Sequence, residues 1–236
     1  AITVKSVTVI ADSQDKVYGD EDPELTYVGE LAFDDVFTGL LDREVGEDVG
    51  IYEITQGTLT AGANYDITYV SDYLTITEKA ITVTADAQTK VYGDIDPEFT
   101  YQITIGSLVG EDVFAGGLSR DAGEDVGNYV INQGTLDVGA NYDLSFISDE
   151  LVITPKLINV TPDAGQYKYE GEVDPVLTYV NDPLVGTDEL TGELNREAGE
   201  TPGAYNILTG TLTAGGNYDI ALQPEVFTIY AVDTYT

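Results

Sequence analysis

The nine basic residues of this chain form three columns, and each column occurs three times. Against them stand 43 Asp and Glu residues, which give a net charge of −34. Two Lys and one Arg per unit predict a tandem array of three repeats. The members of the first column lie 74 and 77 residues apart, too far for a solenoid repeat of about 20 to 50 residues. Each repeat is therefore expected to be a small domain. The columns are Lys5, Lys79 and Lys156; Lys16, Lys90 and Lys168; and Arg43, Arg120 and Arg196.

We place the repeats at residues 1–78, 79–155 and 156–236 and call them repeats 1, 2 and 3. In repeat 2, residues 81–85 and 151–154 alternate apolar and polar side chains and are rich in β-branched residues, which predicts strands. No segment carries a convincing helical stripe, and at most 107–114 has room for a turn or two of helix. The predicted fold class is mainly β, with three tandem small β-rich domains. Further strands are expected at 99–105, 128–132 and 142–147.

Short segments join the repeats. Only residues 77–80 and 154–157 lie between the last predicted strand of one repeat and the first of the next, and neither segment contains Gly. A Gly- and Ser-rich linker would let the domains move independently, whereas a short linker without Gly couples them. The domains are therefore expected to form an extended, stiff rod.

The composition argues against several functions. The chain has no His and no Cys, so the usual general base, a thiol nucleophile, disulfides and Cys/His zinc sites are all missing. We predict that the chain is not an enzyme. Its negative charge repels nucleic acid and anionic lipid, and no apolar run reaches the roughly 18 residues of a membrane span. Neither nucleic acid binding nor membrane insertion is expected.

Five motifs recur in order along the chain. Together they resemble the MBG domain of the YGX type, and the resemblance covers nearly the whole sequence. It implies a β-rich module, β-grasp-like or Ig-like, in the stalks or adhesive arrays of secreted or cell-surface bacterial proteins, with no catalytic residue. The expected partners are other domains of the same protein, copies of itself, or host or surface glycans. The motifs are Lys-Val-Tyr-Gly-Asp-x-Asp-Pro (from Lys16 and Lys90), Arg-x-x-Gly-Glu (from Arg43, Arg120 and Arg196), Val-Gly-x-Tyr (from Val49 and Val126), Gly-Thr-Leu and Asn-Tyr-Asp.

Repeat 3 departs from this pattern at three places. Glu170 replaces the Tyr of Tyr-Gly, Pro202 replaces the Val before Gly203, and Gly165 is inserted upstream. Whatever role Tyr18 and Tyr92 have is therefore not expected to carry over to repeat 3.

Each repeat also carries two carboxylates just before a Pro, which are hard oxygen ligands of the kind that Ca²⁺ prefers. A calcium site needs about six to eight oxygens and no EF-hand loop is present, so the alternative is that Asp before Pro sets a turn. If calcium binds, it should raise the melting temperature more than magnesium, or sodium chloride at matched ionic strength, does. The candidate ligands are Asp20, Asp22, Asp94, Asp96, Glu172 and Asp174.

Two further groups of residues recur. Arg43, Arg120 and Arg196 are predicted to form structural ion pairs with carboxylates in their turns, because acids far outnumber bases. A Lys–Asn isopeptide bond would need a column Lys buried beside the Asn of Asn-Tyr-Asp. The recurring Tyr residues are predicted to be core or sheet-face residues; if exposed, they could stack on sugars. They are Tyr27, Tyr101 and Tyr179; Tyr52, Tyr129 and Tyr205; and Tyr65, Tyr142 and Tyr218.

We interpret the chain as a non-catalytic stalk or part of an adhesive surface, located outside the bacterial cell. One alternative is a filament subunit that joins its neighbours by strand addition, which would need an unpaired terminal strand at 1–9 or 225–232. Another is a carbohydrate-binding module, which would show an exposed row of Tyr rings.

Overall fold

The computed structural model describes residues 3–232. These residues form 21 strands and no helix, with seven strands in each repeat. The mainly β fold is confirmed, whereas residues 107–114 form a turn, in which Asp112 N–H donates to the Val109 carbonyl, and not a helix.

Repeat 1 contains β1 Lys5–Ala11, β2 Gln14–Val17, β3 Tyr27–Val28, β4 Asp42–Arg43, β5 Gly50–Thr55, β6 Tyr65–Val70 and β7 Asp72–Thr77. Repeat 2 contains β8 Lys79–Ala85, β9 Gln88–Val91, β10 Tyr101–Ile105, β11 Ser119–Arg120, β12 Gly127–Asn132, β13 Tyr142–Ile147 and β14 Asp149–Thr154. Repeat 3 contains β15 Lys156–Pro162, β16 Tyr167–Tyr169, β17 Tyr179–Asn181, β18 Asn195–Arg196, β19 Gly203–Leu208, β20 Tyr218–Leu222 and β21 Val226–Tyr230.

Each repeat is built from two sheets with the same topology. In repeat 1 a three-stranded sheet has the order β3-β1-β6, with β1 parallel to β6 and antiparallel to β3. A four-stranded sheet has the order β2-β7-β5-β4, with β2 parallel to β7 and the other pairs antiparallel. The corresponding sheets are β10-β8-β13 and β9-β14-β12-β11 in repeat 2, and β17-β15-β20 and β16-β21-β19-β18 in repeat 3.

The apolar core of repeat 1 lies between its two sheets. Val9 and Ala11 from β1 cluster with Ile54 from β5 and Leu74 from β7, and all four are buried. The alternation of β1 explains this, because every second side chain of a strand points to the same face. Burying one such aliphatic side chain contributes about 1.5 to 3 kcal/mol. Repeat 3 has an equivalent cluster of Val160, Leu177, Leu194, Ile207, Leu212, Phe227 and Ile229.

The described chain divides into two compact units, and the boundary runs through repeat 2 rather than between repeats. Unit 1 holds repeat 1 together with residues 79–86, 100–119 and 132–148 of repeat 2. Unit 2 holds repeat 3 together with residues 87–99, 120–131 and 149–155 of repeat 2. Each join between successive repeats therefore lies inside one unit.

One residue separates the last strand of a repeat from the first strand of the next. Glu78 lies between β7 and β8, and Pro155 lies between β14 and β15. Such a short connector leaves little freedom of its own. The rod shape of the whole array stays a prediction.

Two sequence expectations concern a membrane-spanning segment and the unpaired terminal strand that a filament subunit would need. Within residues 3–232 there is no helix at all, hence none that is long and apolar enough to cross a bilayer. Both terminal strands, as far as they are described, are inner strands of their sheets: β1 lies between β3 and β6, and β21 lies between β16 and β19. Residues 1 and 2 of the candidate filament strand 1–9 lie outside the described part.

Candidate functional site: the junction between repeats

A cluster of four charged side chains occurs in every repeat. In repeat 1, Lys16 Nζ lies 2.7 Å from both Asp22 Oδ1 and Glu47 Oε2. Arg43 Nε lies 2.6 Å from Asp22 Oδ2, and its Nη2 contacts Glu47 Oε1. The carboxylate of Asp22 therefore bridges both cations. The same contacts join Lys90, Asp96, Arg120 and Glu124 in repeat 2, and Lys168, Asp174, Arg196 and Glu200 in repeat 3.

The Arg of this cluster also holds its turn by backbone contacts. Arg43 Nη1 donates to the carbonyls of Glu44 and Gly46, and the guanidinium lies 5.4 Å from the centre of the Tyr52 ring. The residue after Arg thus contributes its carbonyl, while the paired carboxylates come from Asp22 and Glu47. The cations are the buried members, with side-chain exposures of 4% for Lys16 and 9% for Arg43 against 40% for Asp22.

These contacts favour the charged forms of the carboxylates. The hydrogen bond from Arg43 is the main reason why the pKa of Asp22 falls from 3.8 to about 2, and Lys16 adds to it. Arg120 lowers the pKa of Asp96 to about 2 in the same way. The pKa of Glu47 is also lowered, chiefly by its hydrogen bond from Lys16.

We expect these pKa shifts to make the protein lose stability in acid. A carboxylate whose pKa is lower in the folded state stabilises the fold above its unfolded pKa, and this contribution is lost as the pH falls through the folded pKa. The free energy of unfolding, measured by urea denaturation, should therefore fall steeply between about pH 4 and pH 2. Asp96→Asn should lower it at pH 7 and flatten part of the decline. Asp94→Asn is the control, because the Asp94 carboxylate forms no ion pair with any described residue; an equal effect of the two substitutions would contradict the assignment.

The structure separates the members of each carboxylate pair that the sequence suggested as metal ligands. Asp22, Asp96 and Asp174 contact the Lys and Arg of their clusters, whereas Asp20 and Asp94 offer backbone carbonyls to the Lys. Glu172 accepts a hydrogen bond from the Tyr169 N–H. Within residues 3–232 no three acidic side chains converge as a metal site. Calcium binding stays a prediction.

Separate from these clusters, the same contacts join repeat 1 to repeat 2 and repeat 2 to repeat 3. Tyr18 of repeat 1 donates its hydroxyl to Asp112 Oδ2 of repeat 2 at 3.0 Å, and Tyr142 donates to the same oxygen at 2.6 Å. The two Tyr rings meet edge to face, with centroids 5.4 Å apart. Tyr92, Asp188 and Tyr218 repeat this arrangement between repeats 2 and 3.

An Asn side chain completes each junction. Asn141 Oδ1 accepts a hydrogen bond from the Val49 N–H at 2.9 Å, and Asn141 Nδ2 donates to Asp48 Oδ1 at 2.8 Å. Asn217 makes the same two bonds to Val126 and Asp125, both at 2.8 Å. The side-chain amide of a single Asn thus forms hydrogen bonds with both a donor and an acceptor of the preceding repeat.

The Gly of Tyr-Gly is required by close packing at the junction. A Cβ on Gly19 would lie 2.4 Å from Val109 Cγ2, and a Cβ on Gly93 would lie 2.4 Å from Val185 Cγ2. Both glycines also have positive φ, +84° and +85°, a conformation that L-residues avoid. The Tyr-Gly motif is therefore part of a docking surface that fits the turn of the next repeat.

The sequence profile of the MBG domain (YGX type) matches the chain three times, at residues 7–75, 81–152 and 158–228. The chain belongs to this family. A search of curated proteins found none that matches it. In this MBG array the Tyr-Gly dipeptide of the YGX type lies in the contact between successive repeats.

Electrostatics favour neutral phenols at the MBG junction. The hydrogen bond to Asp112 is the main reason why the pKa of Tyr18 is raised, and the bond to Asp188 does the same for Tyr92. Burial is the main cause for Tyr142, followed by its bond to Asp112. Because these pKa values are raised, the junction is stabilised below the ordinary Tyr pKa of 10.0 and weakens as the pH rises above it.

The motifs of the junction are visible in the sequence, but their role in joining the repeats is not. The Asn of Asn-Tyr-Asp was considered only as the partner of the Lys in its own repeat, whereas Lys90 Nζ contacts Asp96 and Glu124 and the Asn141 side chain contacts Val49 and Asp48 of the preceding repeat. One signal was available. Repeat 3 loses the Tyr of Tyr-Gly and the Val of Val-Gly together, as Glu170 and Pro202, and these positions correspond to two of the residues with which repeats 1 and 2 contact the next MBG repeat.

The recurring Tyr columns are buried or half-buried, which agrees with a core or sheet-face position. An exposed group of rings occurs in repeat 3 instead. Tyr167, Tyr169 and Tyr230 are about half exposed, at 51%, 46% and 51%, and their ring centroids lie 5.5 to 6.1 Å apart.

Proposed function

We propose that this chain is a non-catalytic spacer, a stiff segment of the stalk of a secreted or cell-surface bacterial protein. The observation that supports this most is the repetition of one junction: the same residue columns, bonds and ring contact join repeats 1 and 2 and repeats 2 and 3. A module that serves as a spacer must attach to its neighbours in one defined way. The YGX motif supplies that attachment.

The junction has the properties that a stiff joint requires. Its hydrogen bonds are directional, and each contributes about 0.5 to 1.5 kcal/mol net. The connector of a single residue keeps the two contact surfaces at a high effective concentration, so that even modest contacts stay formed. Together they should hold successive repeats at a nearly constant angle.

The charge suits a position outside the cell. With 43 acids against nine bases, self-repulsion keeps the chain soluble and discourages compaction of the array. The six Lys and Arg side chains of the charged clusters are buried inside the repeats. The surface therefore carries mainly negative charge. An adhesive role of this segment, and its extracellular location, belong to the proposal.

We expect small-angle X-ray scattering to report an extended particle with a narrow distribution of shapes. The double substitution Asn141→Ala with Asn217→Ala removes two hydrogen bonds from each junction and should broaden that distribution, without loss of β structure in circular dichroism. Asn64→Ala is the matched control, since the Asn64 side chain has no hydrogen-bond partner within residues 3–232, and it should leave the scattering unchanged. A compact wild-type particle, or one as flexible as the double variant, would refute the proposal.

A further inference from the structure

Repeat 1 presents a counterpart of the docking surface that repeats 2 and 3 use to receive the preceding repeat, with Ala32 in the place of Val109 and Val185. This acceptor face consists of Ala32, Asp35, Asn64 and Tyr65. Tyr65 donates its hydroxyl to Asp35 Oδ2 at 2.7 Å, and the Ala32 N–H donates to the Tyr65 oxygen at 3.1 Å. The corresponding distances in repeat 2 are 2.6 Å and 2.8 Å. The face is therefore assembled even though no described residue docks on it.

The acceptor face of repeat 1 is more exposed than its counterparts in repeats 2 and 3, which are covered by the preceding repeat. Tyr142 and Tyr218 are 6% and 7% exposed, whereas Tyr65 is only half-buried. Asn64 is exposed, and its two counterparts Asn141 and Asn217 are half-buried. The hydrogen bonds of Asn141 and Asn217 go to the preceding repeat, and the Asn64 amide has no such partner within residues 3–232.

The rim of the acceptor face is also altered. Phe33 has a φ of 58°, at a turn position where Gly110 and Gly186 have 54° and 56°. A bulky residue rarely adopts this conformation, and Phe33 is 99% exposed. Repeat 1 thus adds an apolar group next to a polar surface that is already complete.

The opposite end of the chain has lost the complementary residues. Repeat 3 carries Glu170 where repeats 1 and 2 have the docking Tyr, and Thr201 and Pro202 where they have Asp and Val. Pro202 has no N–H and cannot donate to an Asn side chain. Glu170 is exposed and would bring a carboxylate towards the Asp of an acceptor face, where like charges repel. A Cβ on Gly171 would meet no heavy atom within 4 Å, in contrast to one on Gly19 or Gly93.

From these contrasts we infer that the acceptor face of repeat 1 binds the end of another MBG repeat of the YGX type, one that carries Tyr-Gly and Asp-Val. The altered end of repeat 3 does not serve as that partner, so this chain does not continue itself head to tail. The inference rests on the proposed function, because it assumes that the junction is the means by which such repeats attach. The sequence supports the choice of partner, because the chain enters β1 through Thr3-Val4-Lys5 as it enters β8 through Thr77-Glu78-Lys79 and β15 through Thr154-Pro155-Lys156.

A concatemer of two copies, joined without residues 232–236 of the first and 1–4 of the second, tests both parts of the inference. Ala231 of the first copy is followed directly by Lys5 of the second, which leaves one residue between strands as at Glu78 and Pro155. In one version the first copy is unchanged, and in the other it carries E170Y/T201D/P202V to restore the docking residues. Amide hydrogen exchange is followed by mass spectrometry at position 202 of the first copy and around Asn64. The two copies give the same Asn64 peptide, so protection of the second copy alone appears as two populations of that peptide. Val49 and Val126 serve as internal references.

In the restored concatemer we expect the amide at position 202 to exchange about as slowly as those of Val49 and Val126, and Asn64→Ala in the second copy to speed its exchange about tenfold. In the unchanged concatemer the segment around Asn64 should exchange as in the single chain. An unprotected amide at position 202, protection that survives Asn64→Ala, or protection of the Asn64 segment in the unchanged concatemer would each overturn the inference. P202V alone, which restores the amide donor, replaces the triple variant if that variant loses its β structure.

Failure of this inference can be told apart from failure of the proposed function. If the junctions are not stable joints, Val49 and Val126 themselves exchange rapidly in the single chain. If only the inference is wrong, those two amides stay protected and the new junction alone does not form.

Discussion

Arg120→Ala is expected to lower the free energy of unfolding of repeat 2 by about 3 kcal/mol, because it removes one partner from a buried ion-pair cluster. The Arg120 side chain is 8% exposed and binds both Asp96 and Glu124. It also donates to the carbonyls of Asp121 and Gly123. Its removal leaves those acceptors without their donor, while the carboxylates remain partly exposed and recover some solvation. Urea denaturation, with local stability read from amide exchange in repeat 2, provides the measurement.

Two variants control the Arg120 experiment. Lys79 is half-buried but forms no ion pair within residues 3–232, and Lys79→Ala should lower stability much less than Arg120→Ala does. Arg120→Lys keeps the charge but cannot form the fork to Asp96, so it should retain only part of the stability. Equal, small effects of Arg120→Ala and Lys79→Ala would mean that the Arg column is solvated and does not support the turn.

Gly93→Ala is expected to destabilise the junction between repeats 2 and 3 by about 2 to 5 kcal/mol. Part of the cost is backbone strain at φ +85°, about 1 to 2 kcal/mol for an L-residue. The rest is overpacking against Val185, whose Cγ2 would lie 2.4 Å from the new Cβ, and such clashes cost about 1 to 3 kcal/mol. Exchange of the Val126 amide, which bonds Asn217 in the same junction, should become faster.

Gly171→Ala separates the two contributions. Gly171 has nearly the same φ, +88°, but a Cβ there would meet nothing within 4 Å. It should therefore show the backbone cost alone and leave Val126 exchange unchanged. If the two substitutions are equally destabilising, the close contact between Gly93 and Val185 is not part of what holds the repeats together.

Most strands of repeat 2 could be predicted from alternation. The expected strand at 142–147 coincides with β13, and 81–85 and 128–132 lie within β8 and β12. In contrast, β9 was not predicted. Its inward position is Lys90 rather than an aliphatic residue, so the apolar period that marks a core-facing strand is absent. A buried cation becomes favourable there only once Asp96 and Glu124 surround it.

The sequence predicted that the recurring Arg residues are paired, but it did not predict their partners. The recurrence of Arg in an acidic chain indicated a paired residue, but not which acid pairs with it. Asp22 lies 21 residues before Arg43, and the loop and sheet geometry brings them together. The sequence suggested instead that Asp20 and Asp22 act as a pair, because they are close together in the motif. Only one of the two carboxylates turns towards the cations.

By itself the sequence determined the threefold repeat, the mainly β fold and the excess of negative charge, because each depends on composition and short-range periodicity. Only the tertiary structure decided what the YGX motif contacts. Tyr18 and Asp112 are 94 residues apart, and Val49 and Asn141 are 92 apart. A hydrogen bond between such residues leaves no periodic mark in the sequence, since its partner is chosen by how one repeat packs on the next. Val109 and Asp112 reach that contact from a turn outside the strands for the same reason.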